Sequence, residues 1–237
     1  VGGGGGRTRR FSRLSVYTRL VLILSAVLTF GGAALLAVLE WNNPWTLGGM
    51  PVWQKLLASL FQSVTTRTAG FFTVSQAGLT EAGKAVSDML MFVGGSSGST
   101  AGGLKTVTLG VVVLAAVGTA RGRSRASVFR HTIPQEKVSQ AMTLFMLMLT
   151  LAFVGAALIC ACSGCSLSAA LYETVSALAT VGLTAGLTAT LTTLPKLLLI
   201  VFMFFGRVGI MTISIGFLTA SRAEDRFEYA PARMLIG

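Results

Sequence analysis

The chain has 237 residues, 53% of them hydrophobic and only 11% charged, with a mean hydropathy of +0.75. Soluble domains carry about 25% charged residues, so composition excludes an ordinary soluble protein and points to the membrane class. The net charge of +11 is gathered in three clusters: Arg7, Arg9, Arg10, Arg13 and Arg19; Arg121, Arg123, Arg125, Arg130 and Lys137; Arg222, Arg226 and Arg233. Each cluster abuts an apolar stretch, which is the positive-inside pattern, and no nucleic-acid partner is expected.

Residues 1–15 form a basic, glycine-rich segment that opens on Val1 and five glycines, without an initiating Met. It reads as a flexible remnant or a truncated start, because no apolar core and cleavage site follow it as in a signal peptide. Val16 to Leu39 is apolar except for Arg19 and is long enough to cross a bilayer. Trp41 to Trp45 (WNNPW) supplies rings suited to an interface. Pro51 to Arg67 would make at most about 25 Å of helix, short for a span and suited to a re-entrant helix.

Ala85 to Ala120 is too long for one span, at about 54 Å as a helix. Its middle, GGSSGSTAGG (Gly94 to Gly103), cannot hold a regular helix well. Two half-helices joined by an irregular loop at membrane depth are expected, and such backbone must be buried in protein or line water. A cytoplasmic basic linker, 121–138, leads to a second cycle: a span from Ser139 to Ala161, a short helix from Ser166 to Ala179, and a span from Leu194 to Ala220 that carries Lys196 and Arg207. Cys160, Cys162 and Cys165 have no fourth Cys or His beside them and read as small apolar fillers rather than a metal site. The single histidine, His131, reads as a solvated loop residue.

The two cycles are a repeat. Gly70 and Gly182, Met91-Phe92 and Met203-Phe204, and Gly94 and Gly206 are each 112 residues apart. Phe30 and Gly32 to Leu35 match Phe153 and Gly155 to Leu158 at an offset of 123. The halves, residues 16–120 and 139–220, therefore differ by a deletion near the first loop. They share one orientation, because both basic linkers fall on the same side.

Each short helix is followed by Thr-x-Gly-apolar: Thr68-Ala69-Gly70-Phe71 and Thr180-Val181-Gly182-Leu183. Backbone carbonyls can replace the water around a dehydrated potassium ion, glycine permits the angles that aim them, and the C-terminal end of the helix ahead favours a cation. A lone T-x-G would be a tight turn; two at matched spacing read as filter walls.

The stretches SLFQSVTTRTAGFFTV (59–74), MFVGGSSGSTAGGLKT (91–106), YETVSALATVGLTAGLT (172–188) and FMFFGRVGIMT (202–212) resemble the third and fourth repeats of the Trk/Ktr/HKT superfamily of potassium uptake transporters, with a short tail like the Ktr branch. The resemblance covers Val16 to Gly237. It implies an all-α membrane protein of two tandem helix/pore-loop/helix repeats, half of a four-repeat pore. It implies potassium as the transported ion, bound at the filter only, with carbonyls at 68–71 and 180–183 forming two of four filter walls. Gly94, Gly95, Ser96, Ser97, Gly98, Ser99, Thr100, Ala101, Gly102 and Gly103 would be a gate under the filter, near Arg207. Also implied are a homodimer in the lipid of the cell membrane and a cytoplasmic nucleotide-binding regulatory ring on the inner face.

Arg207 has a physical case of its own. It lies 25 residues beyond Gly182, too deep in its span to snorkel, and such a charge faces a cavity or a partner. Lys105 closes the loop either as a second gate charge or as a helix cap. Asp88 and Glu173 pair with basic residues or lie at the outer mouth. Half a ring cannot surround an ion, so either two further repeats precede Val1 or two halves assemble. The alternatives are a sodium-permeable member of the superfamily and a non-conducting incomplete fragment. No enzyme is indicated, since GGSSGSTAGGLKT lacks the register of a phosphate-binding loop.

Both termini and the 121–137 loop are expected to be cytoplasmic. Cysteines placed in 41–49 should react with an external thiol reagent in intact cells and Ser127→Cys should not; labelling of Ser127→Cys reverses the orientation.

Overall fold

Hydrocarbon offers a peptide group no partner except other peptide groups, so an apolar chain of this kind forms helices wherever it can. The computed structural model describes residues 14–96, 99, 101–122, 126–129 and 131–208, and the structural statements below concern these. Helix α1 (Val16–Glu40) is 25 residues long and starts on Ser15, whose hydroxyl accepts the Thr18 amide. Val27, Phe30 and Val38 are exposed along it, as a lipid-facing surface requires. Helix α2 (Val52–Thr65) is short and enters on Pro51. Helices α3 (Glu81–Phe92) and α4 (Thr106–Ala120) are the two halves of the expected broken span.

After α4 the linker carries a minimal antiparallel pair of strands, β1 (Ser127–Val128) with β2 (His131–Thr132). Helix α5 (Gln135–Ser163) begins on Pro134, inside the stretch read as linker, because proline pre-sets the first helical turn. Helix α6 (Leu167–Leu178) is the second short helix, α7 (Leu187–Thr190) is a single turn, and α8 (Thr193–Val208) is the last described element. Residues 209–220 of the expected last span, the 221–237 tail and most of 1–15 lie outside the described residues.

The cysteines close α5. Gly164 takes a left-handed conformation (φ 61°) and the Cys160 thiol donates to the Cys165 carbonyl, so the two side chains meet across the turn. Burial, and then the neighbouring Cys160, raise the pKa of the Cys165 thiol, which keeps it neutral packing material.

The repeat seen in the sequence is also a repeat of packing. In the first half Gly32 on α1 faces Ser63 of α2 and Leu90 of α3: a Cβ there would lie 2.7 Å from the Ser63 hydroxyl and from Leu90 Cδ1. In the second half Gly155 on α5 faces Thr174 of α6 and Phe202 of α8, and a Cβ would lie 2.8 Å from Thr174 Cγ2. The missing side chain lets three helices meet at one point. The halves join where α3 packs on α6 and α4 on α5. The core sits around α6, with Ile159, Tyr172, Leu178, Leu199 and Phe202 among its buried members.

Gly32→Ala should lower the thermal midpoint of the detergent-solubilised protein, by about 1–3 kcal/mol of overpacking. Gly31→Ala, where nothing lies within 4 Å, should be neutral or stabilising by up to about 1 kcal/mol of helix propensity. Equal midpoints for the two would remove the close-approach role of Gly32.

Candidate functional site

Both Thr-x-Gly segments leave the C-terminal end of a short helix, and both have the same backbone. Thr68 (φ 73°) and Gly70 (φ 78°) are left-handed in the first; Thr180 (φ 54°) and Gly182 (φ 90°) are left-handed in the second. Threonine rarely adopts such angles. Positive φ at two of three successive residues takes each segment out of ordinary strand geometry. The segments also adjoin each other: a Cβ on Gly70 would collide with the Val181 carbonyl oxygen. Gly182 has open space at the equivalent point.

Each segment is braced by its own short helix. Thr65 donates its hydroxyl to the Phe71 carbonyl, and Ser176 donates to the Leu183 carbonyl at 2.6 Å. Main-chain bonds tie Ala69 N to Thr65 O at 3.0 Å and Val181 N to Ser176 O at 2.9 Å. One turn earlier on each helix, a polar side chain grips the stretch beyond the glycine. Gln62 pairs with Gln76 through bonds of 2.6 and 3.0 Å. Glu173 accepts the Thr184 and Thr188 hydroxyls, each at 2.6 Å, and the Ala185 amide at 3.1 Å. Among the described residues Glu173 thus gathers two hydroxyls and a backbone amide. Across the halves, Tyr172 donates its hydroxyl to Gln76 at 2.8 Å.

The glycine-rich loop closes on itself. Gly94 N donates to Leu104 O at 2.9 Å, Leu104 N to Phe92 O at 3.0 Å, and Thr106 N to Gly95 O at 3.1 Å, making a neck. Its tip returns to the second Thr-x-Gly segment: Gly102 N donates to Thr180 Oγ1 at 3.1 Å. A Cβ on Gly102 would come within 2.7 Å of the Ala179 carbonyl oxygen, so only glycine allows this approach. Lys105 precedes α4, and its ammonium donates to the Ala101 carbonyl within the loop. Ser97, Gly98 and Thr100 lie outside the described residues.

Arg207 lies on the α8 face shared with Leu199 and Met203, lining a cavity of about 440 Å³ together with Thr180, Gly182 and Glu173. Thr180 thus adjoins the loop through its hydroxyl and the Arg207 cavity through its surface. Asp88 is buried in α3 beside a largely apolar cavity of about 540 Å³ between α3, α5 and α6.

Three polar positions escaped the sequence reading. Arg67, directly before Thr68, reaches the ends of the glycine loop. The Gln62–Gln76–Tyr172 chain needs partners 14 and 96 residues apart. Glu40, at the end of α1, accepts Thr80 N at 2.9 Å and the hydroxyls of Thr46 and Thr80, so it fastens α1 to the start of α3. Only Arg67 had a visible signal, as a charge inside the Thr-rich run TTRTAG.

Two short helices that each end on a turn with left-handed residues, set among long apolar helices, define a helical membrane protein of the pore-loop type. The chain belongs to the TrkH family of cation transport proteins, whose family model matches residues 8–228. It is 36% identical over 233 residues to the potassium/sodium uptake protein NtpJ of Enterococcus hirae, covering 96% of this chain and 51% of that protein. Ktr system potassium uptake protein B of Bacillus subtilis is 34% identical over 221 residues, covering 93% of this chain and 50% of that protein. The crystal structure of the potassium transporter TrkH from Vibrio parahaemolyticus matches with a TM-score of 0.65 at 23% identity, over 85% of this chain and 44% of that one, a likeness of fold. The chain spans about half the length of the curated relatives it matches. The family and these relatives are transport proteins, not enzymes.

Glu173→Ala leaves two hydroxyls and one amide without their acceptor. It should lower stability by at least about 2 kcal/mol, and Glu173→Gln, which keeps one acceptor oxygen, by less. Thermal unfolding in detergent reads the order; equal losses would mean that Glu173 acts only by filling space.

Proposed function

We propose that this chain forms part of a potassium uptake pathway in the cell membrane. The observation that carries the reading is the pair of left-handed residues repeated at Thr68/Gly70 and Thr180/Gly182, each pair behind the end of a short helix. A cation at the common face of the two segments would meet carbonyls in place of water and the negative ends of α2 and α6. The carbonyls of Thr68, Ala69 and Gly70, and of Thr180, Val181 and Gly182, are the ligands in this reading. Those of Phe71 and Leu183 are held by Thr65 and Ser176. The braces from Gln62 and Glu173 resist the collapse that would suit a smaller ion. The remaining filter walls come from further repeats or a second copy.

The loop Gly94–Gly103, with Lys105, acts as the gate. Its contact with Thr180 supports this, because the loop then lies against the filter segment. Arg207 adds a positive charge to the cavity beside Thr180 and Gly182 and opposes cation passage there. In this reading residues 16–120 and 139–220 are two multi-pass pore repeats, and the 121–138 linker and both termini are cytoplasmic. The protein works as a homodimer, with a cytoplasmic nucleotide-binding ring against the linker and the 221–237 tail. Sodium permeation is the second reading, favoured by the name of the Enterococcus hirae relative, a potassium/sodium uptake protein.

Competition between potassium and sodium, measured as uptake by cells lacking their own potassium transporters, tests the filter. Gly70→Ser meets both a left-handed φ and the Val181 oxygen, and should lower the potassium-to-sodium ratio about tenfold. Gly182→Ser meets only the φ penalty and should do less. Gly49→Ser, with nothing within 4 Å, should change nothing. Unchanged ratios in both filter variants would reduce the two glycines to turns, and absence of potassium uptake by the parent would sink the reading altogether.

A further inference from the structure

Arg67 joins the Thr68–Phe71 segment to the glycine loop. Its Nη2 donates to the Gly94 carbonyl at 3.1 Å and to Thr106 Oγ1 at 2.8 Å, and its Nη1 lies 3.5 Å from the Ser25 carbonyl on α1. Gly94 opens the loop and Thr106 begins α4 behind it. Thr106 is fully buried, and its hydroxyl donates to Gly94 O at 3.0 Å. One guanidinium, the Thr106 hydroxyl and the Gly94 carbonyl therefore form a closed triangle at the neck of the loop.

The second Thr-x-Gly segment is preceded by a different residue. The residue 112 positions on from Arg67 is Ala179, fully buried. A Cβ on Gly103 would stand 3.2 Å from the Ala179 methyl. The loop is thus gripped by an arginine at one segment and allowed close by an alanine at the other. A charge at membrane depth calls for a specific partner, and the loop carbonyl and hydroxyl supply it. Hydrogen bonds from a cation are about twice as strong as neutral ones, and the weakly hydrated guanidinium suits a part-buried site better than a compact, strongly hydrated ammonium.

We propose that Arg67 is a positioning residue that clamps the neck of the glycine loop to the first filter segment and so sets how readily the loop leaves the pathway. The inference rests on the pore reading above, but its test does not. Ser99, exposed near the loop tip, is changed to Cys in the whole transport protein. Its modification by a maleimide is then followed site by site by mass spectrometry.

Arg67→Gln in that background is expected to raise the modification rate at position 99 about tenfold or more, as loss of charge-assisted bonds implies. Thr106→Val should raise it as well, though by less, while leaving every charge in place. Adding Thr106→Val to Arg67→Gln should then do little more, because both remove the same triangle. Arg67→Lys should fall between parent and Arg67→Gln. The partly buried Cys165 reports global unfolding: a variant in which it stays slow while position 99 speeds up has kept its fold. If Arg67→Gln unfolds by this criterion, Thr106→Val and Arg67→Lys decide. An unchanged rate at position 99 in folded variants overturns the clamp, even where cation flux changes, because the guanidinium would then act only through its field. A parent that carries no potassium overturns the pore reading and leaves the labelling result to decide the clamp by itself.

Discussion

Backbone that is not helical has no hydrogen-bond partner in hydrocarbon, and around the candidate site the described residues of 66–79, 93–105 and 179–186 are of this kind. Everything that positions the candidate site follows from how those peptide groups are satisfied. The neck of the glycine loop pairs with itself. The Thr-x-Gly segments bond back to the last turn of the helices that lead into them, and the stretches beyond them are gripped by Gln62 and Glu173. Without these bonds each unpaired group would cost several kcal/mol in a bilayer. With them, backbone at the left-handed angles of Thr68 and Thr180 becomes a stable state.

Duplication explains why the solution appears twice, and divergence explains what each copy does. Thr65 and Ser176, Ser63 and Thr174, Gln62 and Glu173 hold corresponding places one short helix apart. At the second span the copies part. In the first half the helix stops at Phe92, and Gly94 begins the loop; in the second it continues through Gly206 to Arg207 and Val208. The nine residues after Gly94 account for the difference, since glycine and serine in that density do not hold a helix. The loop then needs room beside the second Thr-x-Gly segment, which Gly102 and Ala179 give it, and Arg67, the residue before the first, bonds to its neck.

The polar residues at this depth are mostly short and uncharged, and where a carboxylate is used it faces hydroxyls and amides. Glu40 and Glu173 each bind several donors. Each therefore acts as a rigid multi-acceptor for hydroxyls and backbone amides. A network satisfied on every member specifies one arrangement more sharply than its separate bonds suggest.

Much of this architecture was legible in the sequence. Apolar run lengths marked the long and the short helices, glycine density marked the break between α3 and α4, and the offset of 112 between Gly70 and Gly182 marked the repeat. These are local or periodic properties, and chain physics reads them without a fold. What the tertiary structure decided was pairing. That Gly32 and Gly155 are close-approach points depends on side chains 31 and 19 residues away, Ser63 and Thr174. That Glu173 holds three hydroxyl and amide donors depends on which surfaces meet. Arg67 shows the limit plainly: the sequence displays a charge beside a filter-like motif, but only the folded chain brings Gly94 and Thr106, 27 and 39 residues on, within reach of one guanidinium.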